Sequence, residues 1–312
     1  MVAAHELAKR FMPDYRCPSS RKDFTLPQLF ACLVLREHQK KSYRGTEALL
    51  NDCPEWRADI GLSRTPDHNT LCRAFKHLVK PGRMNRMLDQ MAVWARHLKL
   101  IHRRVKPLAL DSSMFESRHV SRHFEKRRQQ TERQQREKAG KAAKIEANRR
   151  RRVVVKRLPK LSLAVASASH LILAARATTG AGGDQPFFGP LLADACRRAK
   201  VKIAVADAGY DSEANHRLAR QDLGVRSIIP AGTGRPTHKP PPTRYRRLMQ
   251  QRFARKADQR CYGQRWQVET VNSMIKRNLG SALRARTARR RSMELLLRVI
   301  THNLMILIHA EE

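Results

Sequence analysis

VKPLALDSS, residues 105–113, is where the periodicity of the chain changes. Before it, apolar residues recur every three or four positions. Here Pro107 stops that pattern, and Leu108 and Leu110 alternate up to Asp111. Alternation of period two sends side chains to opposite faces of a strand, and Leu-Ala-Leu suits a strand buried in a sheet. KIAVADAGYD, residues 202–211, repeats the theme, an apolar run that ends at Asp207. An aspartate at such a point is commonly a turn or cap residue, and Asp211, four residues further on, is expected to cap the next helix. Two aspartates ending two buried strands say more, because like charges brought together need a cation between them.

Outward from these strands, residues 1–103 read as helical. FTLPQLFACLVLREHQKK (24–41) carries Leu29, Cys32, Leu33 and Leu35 on helical spacing, and Ser42 or Thr46 is placed to cap the next helix. GLSRTPDHNTLCRAFKHLV (61–79) places Leu71, Phe75 and Leu78 at steps of four and three. A helix-turn-helix and a plain helical bundle with a solvated polar face both fit this stretch. GRMNRMLDQMAVWARHLKL (82–100) reads as a further amphipathic helix.

Downstream, KLSLAVASASHLILAARATTG (160–180) reads as two strands joined by a tight turn near Ser169 and His170. GGDQPFFGPLLADACRRAK (182–200) reads as a helix with Leu191, Leu192 and Ala195 inward. A helix over SEANHRLARQDLG (212–224), a strand in VRSIIP (225–230), a Pro-rich connector and a C-terminal helix at 292–309 follow. Strand, insertion, two strands, then alternating helices and strands is the order of a ribonuclease-H-like α/β fold with a mixed sheet. The division expected is a helical DNA-binding region at 1–103 and a catalytic domain at 104–312.

The 312 residues hold 64 Lys and Arg against 27 Asp and Glu, a formal net charge of +37. Such an imbalance repels itself unless a polyanion is the normal partner, and nucleic acid is the obvious one. Charge is densest in a polar insertion at 116–157. Within 125–157 stand 14 Lys or Arg and 4 Glu, and the run Arg149, Arg150, Arg151, Arg152 is a candidate DNA contact. Six scattered cysteines show no zinc spacing and read as small buried hydrophobes in a reducing compartment. No signal-peptide pattern opens the chain, and its apolar C-terminal stretch is interrupted by Arg298 and His302. A cytoplasmic protein with no membrane partner is expected, associated with the nucleoid when bound to DNA.

The third acid stands in YGQRWQVETVNSMIK, residues 262–276. Read as one helix at about 100° per residue, it sets Tyr262, Arg265, Glu269 and Lys276 within a stripe of about 60°. Trp266, Val268, Val271 and Ile275 form the opposite flank, suited to packing on a sheet. One acid between two bases and a phenol fits a metal ligand among phosphate contacts, so Arg265 and Lys276 are expected to touch phosphate and not structural carboxylates.

Tyr, two residues, Arg, three residues, Glu, six residues, Lys resembles the signature of transposases in the fourth insertion-sequence family and its relatives. LALDSS resembles that group's first-aspartate motif, VADAGYD its second, and RTPDHNTLCRAF (64–75) its helical N-terminal region. The resemblance implies an Asp-Asp-Glu catalytic set of Asp111, Asp207 and Glu269, holding two Mg²⁺ ions for which Mn²⁺ substitutes. Asp111 would bridge both ions. It also implies cleavage and strand transfer of the ends of a mobile element into target duplex DNA, by a homodimer on DNA. Asp207 and Glu269 stand only 62 positions apart, so no large β-rich subdomain is expected between them. The basic insertion departs from the pattern. Two rivals remain: a non-catalytic DNA-binding remnant or regulator, and a nuclease of the same fold. Intact carboxylates weigh against the first, and the Tyr/Arg/Glu/Lys stripe against the second.

Overall fold

In a computed structural model of the chain, a five-stranded mixed sheet is built around the segment that opens at Pro107. The structure describes residues 1–19, 21–101, 105, 107–117, 130, 158–180, 182–231, 243–253 and 255–312. β1 (Leu108–Met114) lies at its centre. β3 (Pro159–Ala166) and β4 (Leu171–Thr179) extend the sheet on one side, and β5 (Ile203–Ala206) and β6 (Arg226–Ile228) on the other, giving the order β4-β3-β1-β5-β6. β1, β3 and β4 run antiparallel in sequence, while β5 and β6 are parallel to β1. This is the mixed α/β, ribonuclease-H-like architecture.

Every residue of β3 is buried, as expected for a strand covered on both faces. The turn between β3 and β4 spans 167–170, and His170 closes it at φ 58°. α7 (Gln185–Arg198) buries Leu191, Leu192 and Ala195 against β3 and β4, as its spacing predicts. After β5 the chain makes a short helix, α8 (Glu213–Arg217), then a wider π turn at Leu218–Asp222, and leaves through Gly224 at φ 62°; α9 (Arg244–Arg252) follows β6.

The cap of α8 differs from expectation. Ser212, not Asp211, is its N-cap, the hydroxyl accepting from the Asn215 amide. Asp211 is buried instead against Arg246 and His216. The cysteines differ also: among the six only Cys32 is buried, and Cys17 is exposed.

Residues 2–97 contribute six helices, α1 (Val2–Lys9), α2 (Leu26–His38), α3 (Tyr43–Asp52), α4 (Pro54–Ala58), α5 (His68–Leu78) and α6 (Pro81–His97). Their starts are written in the sequence. Thr25 and Gln28 form a reciprocal capping box at α2, Ser42 caps α3, and Asp67 accepts from the Asn69 and Thr70 amides at α5. Leu71, Phe75 and Leu78 of α5 all point inward. The C-terminal helix, α12 (Ala288–His309), packs on β4, α2 and α6 at once, so one continuous core runs from Ala4 to Leu307. No helix among the described residues is long and apolar enough to cross a membrane.

A two-residue strand, β2 (Glu116–Ser117), pairs with β7 (Ala282–Leu283). Glu116 and Ser117 therefore belong to the folded core, and the insertion expected from residue 116 begins after them. The rest of that insertion, including Arg149 to Arg152, lies outside the described residues, apart from Gln130, which is helical and exposed.

Candidate active site

Strand register brings the two aspartates together. β1 and β5 run parallel with Leu110 opposite Ala206, so Asp111 and Asp207 follow at the same level on neighbouring strands. Asp111 does not end its strand, as the sequence implies. β3 pairs with Ser112, Ser113 and Met114 beyond it, and the aspartate is the fourth of seven residues. Asp207 is the first residue past β5 and caps a 3₁₀ turn at 208–210 by accepting from the Ala208 amide at 2.6 Å.

Burial pushes the Asp111 carboxyl up to about 6. The Ser112 amide, 2.7 Å away, and the Arg265 guanidinium pull it down, while the charges of Asp207 and Glu269 push it further up. Negative charge is thus concentrated at one end of the sheet, on a half-buried Asp111 and on Asp207 and Glu269, which are exposed.

The third acid arrives on α11 (Trp266–Leu279). Residues 262–276 are not one helix. α10 (Lys256–Gly263) ends at Gly263, and a tighter turn at Gln264–Arg265, held by i to i−3 bonds such as Arg265 N–H to Tyr262 O at 2.8 Å, precedes α11. Tyr262 therefore stands on the preceding helix, and the stripe is interrupted there. Val268, Val271 and Ile275 are buried against β1 and β3 as expected. Trp266 is not: it is 54% exposed at the first turn of α11.

Arg265 is the link between the acids. Its guanidinium lies 3.4 Å from Asp111 Oδ2 and 2.5 Å from Glu269 Oε1. The expectation that it stands apart from carboxylates is corrected. Burial works against its charge, but the hydrogen bond and charge of Glu269 outweigh that and hold its pKa above the usual value. Burial raises the Tyr262 phenol, with Arg265 opposing and Asp207 reinforcing the shift. Lys276 forms no carboxylate ion pair among the described residues. Its ammonium donates to Ser113 Oγ at 2.7 Å and lies 5.1 Å from the Phe115 ring centre. Burial lowers its pKa, with Glu116 opposing.

The donor set fits a hard divalent cation. Three carboxylates supply oxygen ligands, and a cation, Arg265, already bridges two of them. As the side chains stand, no three His, Cys, Asp or Glu groups among the described residues are close enough to share one ion. Arg265 occupies the space between Asp111 and Glu269.

Two supporting contacts escaped the sequence reading. Ser113 holds Lys276, and its only signal was its place in LALDSS. His170 Nε2 donates to Gln267 Oε1 at 2.5 Å, and His302 Nε2 donates to His170 O at 3.1 Å. This chain ties the first turn of α11 to the β3–β4 turn and to α12, across 97 and 132 residues of sequence. No local pattern announces it.

Residues 106–304, close to two thirds of the chain, match the family described as Transposase DDE domain. The match opens just before β1 and closes within α12, so it contains the sheet and all three acids. No curated protein and no solved structure matches the chain.

Proposed function

The chain belongs to the transposase DDE-domain family, and on that premise we propose that it performs metal-dependent strand cleavage and strand transfer with Asp111, Asp207 and Glu269 as the acidic triad. The observation that carries the triad is the common level of Asp111 and Asp207 on β1 and β5, with Glu269 joined to Asp111 through Arg265. The order Tyr262, Arg265, Glu269, Lys276 supports a place in the fourth insertion-sequence family.

These carboxylates would hold two Mg²⁺ ions, or Mn²⁺ in their place. Bound there, the metal supplies charge to the attacking and leaving oxygens of an in-line displacement at phosphorus. Arg265 would turn its N–H donors to phosphate oxygens of the strand being cut, where a planar fork pairs two at a time. Lys276, held by Ser113, positions a neighbouring phosphate as a point charge. Tyr262, beside both aspartates, hydrogen-bonds or stacks on the same strand. Water attacks a phosphodiester phosphorus at the element end and the 3′ oxygen leaves as a 3′-hydroxyl; that hydroxyl then attacks a target phosphodiester phosphorus and displaces the target strand's 3′ oxygen.

Residues 1–103 act as a DNA-binding region in this reading, and the insertion after Ser117, through Arg149 to Arg152, grips flanking duplex. The active form on DNA is a homodimer. The test is a cleavage assay on duplex carrying the element's ends. Nicking that appears with Mg²⁺ and disappears with chelator supports the reading, and cleavage indifferent to chelator overturns it.

A further inference from the structure

Arg73 to Arg86 carries five Lys or Arg and no Asp or Glu, and Arg286 to Arg291 carries four and none. The fold brings these two distant runs together. A cleft of about 430 Å³ is bounded on one side by Lys80 and the start of α6, on the other by Arg289 and the first turns of α12, with β4 along its floor. Lys76, Lys80, Arg86, Arg289 and Arg290 are all exposed, and none pairs with a carboxylate among the described residues. On the neighbouring β4 and α7 some arginines are matched. Arg176 pairs with Asp194, Arg197 with Asp194, and Arg198 with Asp89. On this surface two runs far apart in sequence place such cations side by side along one cleft.

Their placement is unfavourable on its own terms. Arg289, Arg290 and Arg291 lie in the first turn of a 22-residue helix, and Lys80 sits at the start of a 17-residue one. Cations there oppose the helix dipole, whose amino-terminal end favours anions. His77 records the crowding: burial, and then Arg16, Lys76, Lys80 and Arg83, hold its imidazole below the ordinary value. A plain solvated helix face would mix signs. This one is cationic throughout, and a polyanion is the partner that turns its self-repulsion into affinity.

We propose that the end of α5, the start of α6 and the first turn of α12 form one surface that holds the phosphate backbone of duplex DNA outside the acid-bearing site. The inference rests on the reading that this chain acts on DNA, and it adds where a second length of duplex lies. It also means that DNA binding is not confined to residues 1–103, because α12 lies largely inside the matched DDE region. The surface reads charge and spacing, so it positions DNA without choosing its sequence.

The probe is a labelled duplex of mixed sequence, with affinity measured across a salt series. Combining Lys76→Gln, Lys80→Gln, Arg289→Gln and Arg290→Gln should lower the slope of log affinity against log salt by about 3.6, from four phosphate contacts at about 0.9 each. Melting temperature reports whether the fold survives. Lys76→Arg with Lys80→Arg, which keeps the charge, should leave the slope unaltered. A control removing four exposed cations elsewhere (Arg10, Lys41, Lys99 and Lys200, each to Gln) should also leave it unaltered. An unaltered slope in the fourfold variant, or an equal loss in the control, overturns the surface while leaving the transposase reading standing. Absence of salt-dependent duplex binding by the unaltered protein would overturn both.

Discussion

Arg298 and Arg265 each lie between two carboxylates. Arg298 reaches Glu37 at 3.4 Å and Glu294 at 2.9 Å, and donates further to the Gly280 and Ala282 carbonyls. Arg265 reaches Asp111 at 3.4 Å and Glu269 at 2.5 Å. Their surroundings decide what each does. The side chains of Arg298, Glu37 and Glu294 are at most 1% exposed, and Glu294 also accepts from the Arg284 and Ala285 amides. The Arg265 side chain is 24% exposed and Glu269 52%. A buried cluster with every group engaged locks α2 to α12 and has no path for a ligand. The half-exposed one is open to solvent, as the proposed replacement of its arginine by a metal cation requires. An arginine between two carboxylates is a buried rivet in one place and, in the proposed reading, part of the metal site in the other.

Breaking the rivet carries the largest expected effect. Arg298→Met leaves buried carboxylates without their partner and should cost about 3–5 kcal/mol of unfolding free energy, read by denaturant melts. A loss below about 1 kcal/mol would mean that water reaches the cluster and that the contrast with Arg265 is overdrawn.

The next test lies between the two regions, on the contact chain that steadies α11. Burial holds the His302 imidazole down to about 4, with the His170 carbonyl opposing and the His170 ring reinforcing. Above about pH 6.5 the residue is neutral whether folded or not. Between 6.5 and 4 the unfolded chain binds a proton that the folded one refuses, so stability falls as pH drops, by about 3 kcal/mol in all. His302→Gln should flatten that part of the stability profile relative to the unaltered protein. Parallel profiles would show that His302 takes its proton in place.

Smaller effects belong to the exposed cluster. Arg265→Gln should change unfolding free energy by less than about 1 kcal/mol, because partly exposed ion pairs contribute little. The same change should cut strand cleavage sharply. Lys276→Ala should lower the salt slope of DNA binding by about one. An unchanged slope joined to a lower melting temperature would make Lys276 a structural partner of Ser113 instead.

The contrast also explains what could be read from the sequence. Leu108 and Leu110 before Asp111, and Ile203 to Ala206 before Asp207, announce buried strands because period-two and apolar runs are local signals. Val268, Val271 and Ile275 announce the packed face of α11 for the same reason. The rivet was invisible: Glu37 and Arg298 stand 261 residues apart, and charges on a helix read as a solvated face until the partner is known. Asp211 was misread as a cap because its true partners, Arg246 and His216, come from tertiary packing. The turn at Gln264–Arg265 was missed because 3₁₀ and α spacing differ by only about 20° per residue, too little to see over two residues. Trp266, four residues on from Tyr262, projects to about 40°, on the side of the polar stripe and opposite Val268, Val271 and Ile275, so a correct helical projection already sets it outward.

The most direct test compares cleavage and binding in Asp111→Asn, using duplex with the element's ends and Mg²⁺. The account predicts that strand cleavage is lost while affinity for the same duplex and the melting temperature stay close to those of the unaltered protein. Cleavage that persists in Asp111→Asn would contradict the assignment of the acids and with it the central claim.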